Sequence, residues 1–136
     1  MMATVVDSPI GYDQAWFVGE DKLLTVTCYI EGTTQAQVDA GTATPQDLTG
    51  WTIAWALRKS RYATTIMLSK SGAAITILAQ TGTTLGQFTV AIARADTTTP
   101  TEFKAGTYFH GAARTNTGAY DVIAEGPAVL RKAAIR

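Results

Sequence analysis

The sequence predicts an all-β chain, an antiparallel β-sandwich of about seven to nine short strands, and three observations predict it. Apolar and polar residues alternate with a period of two in one stretch after another, whereas the i, i+3, i+4 spacing of an amphipathic helix is almost absent. Gly, Pro, Asn and Asp interrupt the alternation at near-regular intervals, as they do in sandwiches and barrels. The 136 residues, 46% of them hydrophobic, suffice for one domain around one core.

Residues 1–17 are too mixed for a single strand and read as an N-terminal arm or edge segment, with residues 18–136 as the sandwich. Trp16 and Phe17, the last apolar residues before the first clear strand, are expected in the core. Val5, Pro9 and Tyr12 are expected to dock on a neighbouring molecule. Residues 22–31 alternate cleanly, placing Leu24, Val26, Cys28 and Ile30 on one face. Residues 32–50 lack a pattern and form a long loop, with a short edge strand or helical turn at 35–40. Long loops in compact domains are often functional, so Gln35 and Pro45 are further interface candidates.

Residues 51–58 form the strongest strand, with Trp51, Ile53, Trp55 and Leu57 on one face. Each aromatic there buries roughly 150–250 Å², which suits a small core. Residues 64–69 and 74–79 are shorter strands joined through Ser71-Gly72. Residues 87–94 put Phe88, Val90 and Ile92 on one face, and Asp96 is placed to cap a short helical turn. Residues 105–114 and 120–125 are joined by the hairpin turn Thr115-Asn116-Thr117-Gly118. Gly126-Pro127 marks a bulge or bend, and residues 128–135 a closing strand that starts at an edge or bulge, because proline cannot donate to a ladder. The expected core is Val26, Cys28, Trp51, Ile53, Trp55, Leu57, Phe88, Val90 and Ile92.

The 11 basic and 11 acidic side chains cancel, so the footprint of a nucleic-acid binder is missing. No segment reaches the roughly 18 continuous apolar residues of a membrane helix. Residues 1–10 carry neither a basic region nor an apolar stretch, which predicts a chain made in the cytoplasm that leaves it only within a larger particle. Charged residues make up 16%, below the usual level of about 25%, and the resulting Thr-, Ala- and Gly-rich surface suits either coverage by neighbouring subunits or, equally, a soluble monomer with a Thr-rich sheet face. Cys28 is the only cysteine, so no intrachain disulfide forms, and its parity makes it a buried small hydrophobe.

Catalysis finds little to work with. His110 is the only histidine and lies inside a strand, where it is expected to be structural or an interface donor. The acids are scattered, with Glu20-Asp21 the only adjacent pair, and Asp7, Asp13, Asp21 and Asp39 lack the spacing of a calcium loop. No phosphate-binding loop, dinucleotide fingerprint or nucleophile elbow is present. No catalytic residue, metal ligand or cofactor is therefore expected.

Three stretches carry a resemblance: VGEDKLLTVTCYI, a Gly-acid turn before an alternating strand; DLTGWTIAWALRKS, Asp-Leu-Thr-Gly-aromatic before a strand ending in Arg; and GQFTVAIARADTTTPTEFKAGTYFHGAARTNTGAYDVIAEGPAVLRKAAIR, a strand, an Asp-Thr turn, Ala-Gly-Thr-Tyr and a hairpin. Together they resemble the immunoglobulin-like β-sandwich domains of tailed-bacteriophage structural proteins, a group that includes head-decoration, upper-baseplate and fibre-attachment domains. The resemblance covers most of the chain from Val18 onward. It implies an immunoglobulin-like sandwich in a non-enzymatic virion protein, present in many copies or as a homo-oligomer and contacting capsid or tail proteins of the same particle. The end at Arg136, without a fibre region, favours a head-decoration or adaptor subunit over a tail, neck, baseplate or fibre-attachment subunit. A carbohydrate-binding sandwich is the alternative from another class and requires exposed aromatics among Trp51, Trp55, Tyr62 and Tyr108. A small hydrolase or lyase would require carboxylates converging on His110.

Overall fold

Alternating burial folds the strands into two antiparallel sheets packed face to face. The structure, a computed structural model, describes residues 8–12, 15–99, 101–116 and 121–132. β1 (Lys22–Thr27), β4 (Ile75–Ile77) and β5 (Gln87–Ile92) make a three-stranded sheet in the order β1-β5-β4. β2 (Ile53–Arg58), β3 (Ile66–Lys70), β6 (Gly106–Arg114) and β7 (Asp121–Leu130) make a four-stranded sheet in the order β3-β2-β6-β7. This partition is the immunoglobulin arrangement, the first sheet matching strands B-E-D and the second C′-C-F-G.

Two further features follow that arrangement. Trp55 is buried at the centre of β2, the strand-C position. Tyr108, near the start of β6, donates its hydroxyl to the Lys104 carbonyl at 2.5 Å, the bond that turns the chain at the corner before strand F. In antibody domains the residue two places after that tyrosine is the second cysteine of the inter-sheet disulfide. Here it is His110.

Val26, Cys28, Ile53, Trp55, Leu57, Phe88, Val90 and Ile92 are all buried, joined by Trp16, Leu48, Ile123 and Leu130. Trp51 differs from expectation. Its N–H is bonded to the Leu48 carbonyl at 3.0 Å, so the chain is still turning there and β2 starts only at Ile53. Trp51 packs half-buried on the rim of the core, with the Arg114 guanidinium 4.5 Å from its ring centroid, a cation–π contact. Asp96 sits inside its short helical turn, Arg94–Thr97, rather than ahead of it. It accepts from the Ala93 N–H at 2.6 Å and pairs with Lys70 at 2.7 Å.

The strand expected to end at Gly126-Pro127 runs straight through it as β7. The reason is the side on which Pro127 lacks its N–H. Even-numbered residues of this stretch face the β6 ladder, and odd-numbered ones face the N-terminal segment. That segment adds to the outer edge of β7 in parallel: Ser8 N–H donates to Glu125 O (2.9 Å), Ile10 N–H to Pro127 O (2.9 Å), Val129 N–H to Ile10 O (2.8 Å) and Arg131 N–H to Trp16 O (2.8 Å). Proline therefore removes nothing from the β6–β7 ladder and is tolerated. The described residues of that segment, 8–12 and 15–17, pack along β7 of the same chain, with Ile10 and Trp16 buried and Phe17 half-buried. Val5 lies outside the described residues, as do Thr117 and Gly118 of the predicted hairpin turn.

The N-terminal segment approaches β7 closely because Gly126 has no side chain. A Cβ there would stand 2.8–2.9 Å from the Ser8 backbone. Gly126→Ala is expected to lower stability by about 1–3 kcal/mol, as overpacking does, and to accelerate amide exchange at Ile10; urea denaturation and hydrogen exchange measure both.

Candidate functional site

The connections β1–β2 and β4–β5 meet at one end of the sandwich, joined by Thr115 and Asn116 at the end of β6. The longer connection, between β1 and β2, is held by few but specific contacts. Leu48 is fully buried. Gln80 spans the gap with four hydrogen bonds: its Oε1 accepts from Leu48 N–H (2.8 Å) and Gly86 N–H (3.0 Å), and its Nε2 donates to Leu78 O (2.8 Å) and Gln87 O (3.4 Å). Gly86, at φ +80, lets the two loops touch, since a Cβ would lie 2.7 Å from both the Cys28 carbonyl and the Pro45 Cβ. Pro45 itself bridges to Tyr29. Asn116 Nδ2 donates to Gly50 O at 2.8 Å, tying in the end of β6.

The Asp-Leu-Thr-Gly-aromatic stretch is the hinge of this loop. Asp47 Oδ1 accepts from the Thr49 N–H (2.9 Å) and hydroxyl (2.6 Å), which holds its carboxyl below the usual range. Leu48 anchors the turn, and Gly50 supplies φ +78. The same loop carries α1 (Gln35–Asp39), closed by a capping box between Thr34 and Gln37. None of the residues of α1 is buried, so the helix projects from the loop with Gln35 exposed. A braced loop that carries a helix with no buried residue is suited to contact.

Pro9 and Tyr12 are exposed at the β7 edge, Tyr12 at 53%. The aromatics a sugar platform would need are not gathered: Trp55 and Tyr108 are buried in the core, Trp51 is half-covered, and Tyr62 alone of the four is exposed, at 87%.

His110 is fully buried, and both ring nitrogens are engaged. The Trp55 indole can only donate, so Nδ1 accepts from it at 3.2 Å. The Ser8 carbonyl can only accept, so Nε2 carries the proton and donates to it at 2.5 Å. Burial pushes the imidazole pKa down from 6.5 to about 4, against the opposing pull of the Ser8 bond. Among the described residues, no three His, Cys, Asp or Glu side chains gather to hold a metal. No described helix is long and apolar enough to cross a membrane. The sequence matches no protein-family model and no curated protein.

Buried neutral, His110 stabilises the fold fully above pH 6.5. Between pH 6.5 and 4 the unfolded chain takes up a proton that the folded one refuses, so stability falls with pH, by about 3 kcal/mol across the window. Denaturation at stepped pH should show this slope, and His110→Phe should lack that component of it. Burial also raises the Cys28 thiol to about 12, so thiol reagents at pH 8 should label it only after unfolding. Gln80→Ala leaves two loop N–H groups without their acceptor and is expected to cost about 1–3 kcal/mol, measurable by thermal denaturation.

Proposed function

We propose that this chain is a non-enzymatic structural subunit of a tailed-bacteriophage virion, a head-decoration or adaptor protein acting through repeated protein–protein contacts. The observation that carries the reading is the loop end of the sandwich, where Gln80, Leu48 and Gly86 brace a long connection that presents the uncovered helix α1. Bracing limits the ordering entropy lost on contact. The Asp47-to-Trp51 stretch, one carrier of the resemblance to phage sandwich domains, forms the hinge of this same surface.

Many copies on a symmetric shell would each add a modest interface, and avidity would sum them. Purified virions of the phage that encodes the chain should yield on the order of hundreds of copies per particle by quantitative mass spectrometry against the major capsid protein, since the head lattice offers that many equivalent positions. About three to a dozen copies would move it to the tail, neck or baseplate, and absence from the particle would remove the virion reading.

A further inference from the structure

Among the described residues, the glycines have visible reasons, with one exception. Gly126 and Gly86 sit where another backbone passes too close for a Cβ. Gly111, in the middle of β6, has neither reason. Its φ is not positive, and a Cβ there would meet only the Ala124 carbonyl at 3.9 Å, an ordinary contact. Glycine weakens a strand interior and often marks a place that something approaches. Among the described residues nothing lies closer to that Cβ position than the Ala124 carbonyl.

Register explains what that space is. Three cross-strand rows run over the outer face of the four-stranded sheet: Arg58–Phe109–Pro127, Ala56–Gly111–Glu125 and Ala54–Ala113–Val122. The middle row has almost no bulk until Glu125. It leaves a depression of about 150 Å³, walled by Arg58, Arg61, Phe109, Val122 and Glu125. Arg61 crosses the Phe109 ring, its guanidinium 5.7 Å from the centroid, and ends 2.7 Å from Glu125 Oε1. Glu125 is thereby neutralised.

Arg58 is not. Among the described residues it has no carboxylate partner, and its Nε is buried without an acceptor. A covered guanidinium N–H without a partner costs free energy, and a carboxylate pairing with the half-exposed Arg58 side chain would offset that cost through its charge. The volume is too small for a drug-sized ligand, whose sites span about 300–1,000 Å³, and suits one side chain. Val122, exposed at 42%, lines it, and Ile66, exposed at 48%, stands opposite Arg58 in the β2–β3 register.

We infer that this depression binds an acidic side chain, Asp or Glu, presented by a protein partner, the carboxylate meeting Arg58 and the stem lying over Gly111. The site lies on the sheet face and not at the loop end. It stands whether or not the chain is a virion subunit.

The test uses the full chain and three probes: the capped pentapeptide Gly-Leu-Glu-Leu-Gly, its Gln counterpart, and sodium acetate. Titration is followed by ¹H–¹⁵N NMR at the Arg58 Nε–H and the Gly111 amide. The Glu peptide should shift both signals and bind roughly tenfold tighter than either other probe. Arg58→Gln should weaken it by a similar factor. Gly111→Leu, which fills the depression on an ordinary strand backbone, should abolish the shifts at Arg58 while leaving the melting temperature within a few degrees. Equal binding of the Glu and Gln peptides, acetate binding as tight as the peptide, silence at Arg58 at millimolar peptide, or undiminished binding to folded Gly111→Leu would each overturn the inference.

Discussion

One imidazole stands where an antibody domain has the strand-F cysteine of its inter-sheet disulfide, and it ties together its own four-stranded sheet and the N-terminal segment instead. The N-terminal segment lies along β7 so that the Ser8 carbonyl faces residue 127, where a parallel ladder would supply an N–H. Pro127 has none. Gly126, opposite His110 in the β6–β7 register, leaves a gap through which the His110 ring reaches Ser8. On its other side the ring accepts from Trp55 at the centre of β2. Three strands, β2, β6 and β7, and the N-terminal segment thus converge on one side chain that is fully buried and neutral. A buried polar network of this kind specifies its partners tightly because every member is satisfied, and it becomes costly when one is lost.

The choice has a redox consequence and a spatial one. Cys28 is buried and its thiol held protonated, far from any role in cross-linking, so the sandwich stands without oxidation. The lock also sits near the β7 edge, which leaves the loop end to be stiffened separately. Gln80 does that work from the β4–β5 connection, with Leu48 beneath it. The outer face of the four-stranded sheet is a third region, where Gly111 and Ala56 keep a gap beside the unpaired Arg58. Each region rests on a glycine, but two of these glycines are explained by contacts inside the chain and Gly111 is not.

The strands were legible because burial repeats with period two. Residues 51–58 and 87–94 pointed to the inward faces of β2 and β5, and the short helix fell within the predicted turn at 35–40. Trp51 was misplaced by the same rule, since parity cannot see the Leu48–Trp51 turn that delays the strand. Gly126-Pro127 misled for a different reason. Whether proline breaks a ladder depends on which neighbour its nitrogen faces, and that depends on a segment more than a hundred residues earlier. The roles of His110 and Gln80 were out of reach for the same cause, because their partners lie far apart in sequence. A lone histidine two residues after a strand-F tyrosine was the one local signal available. The depression was equally hidden, since Gly111 looks like any strand glycine until its empty surroundings are seen.

The most direct test of the account is the protonation state of His110, read from long-range ¹H–¹⁵N NMR of the imidazole across pH. The account predicts a neutral ring protonated on Nε2 at pH 7, with no titration until the pH nears 4. A ring protonated on Nδ1, or one that titrates near 6.5 in the folded protein, would contradict it.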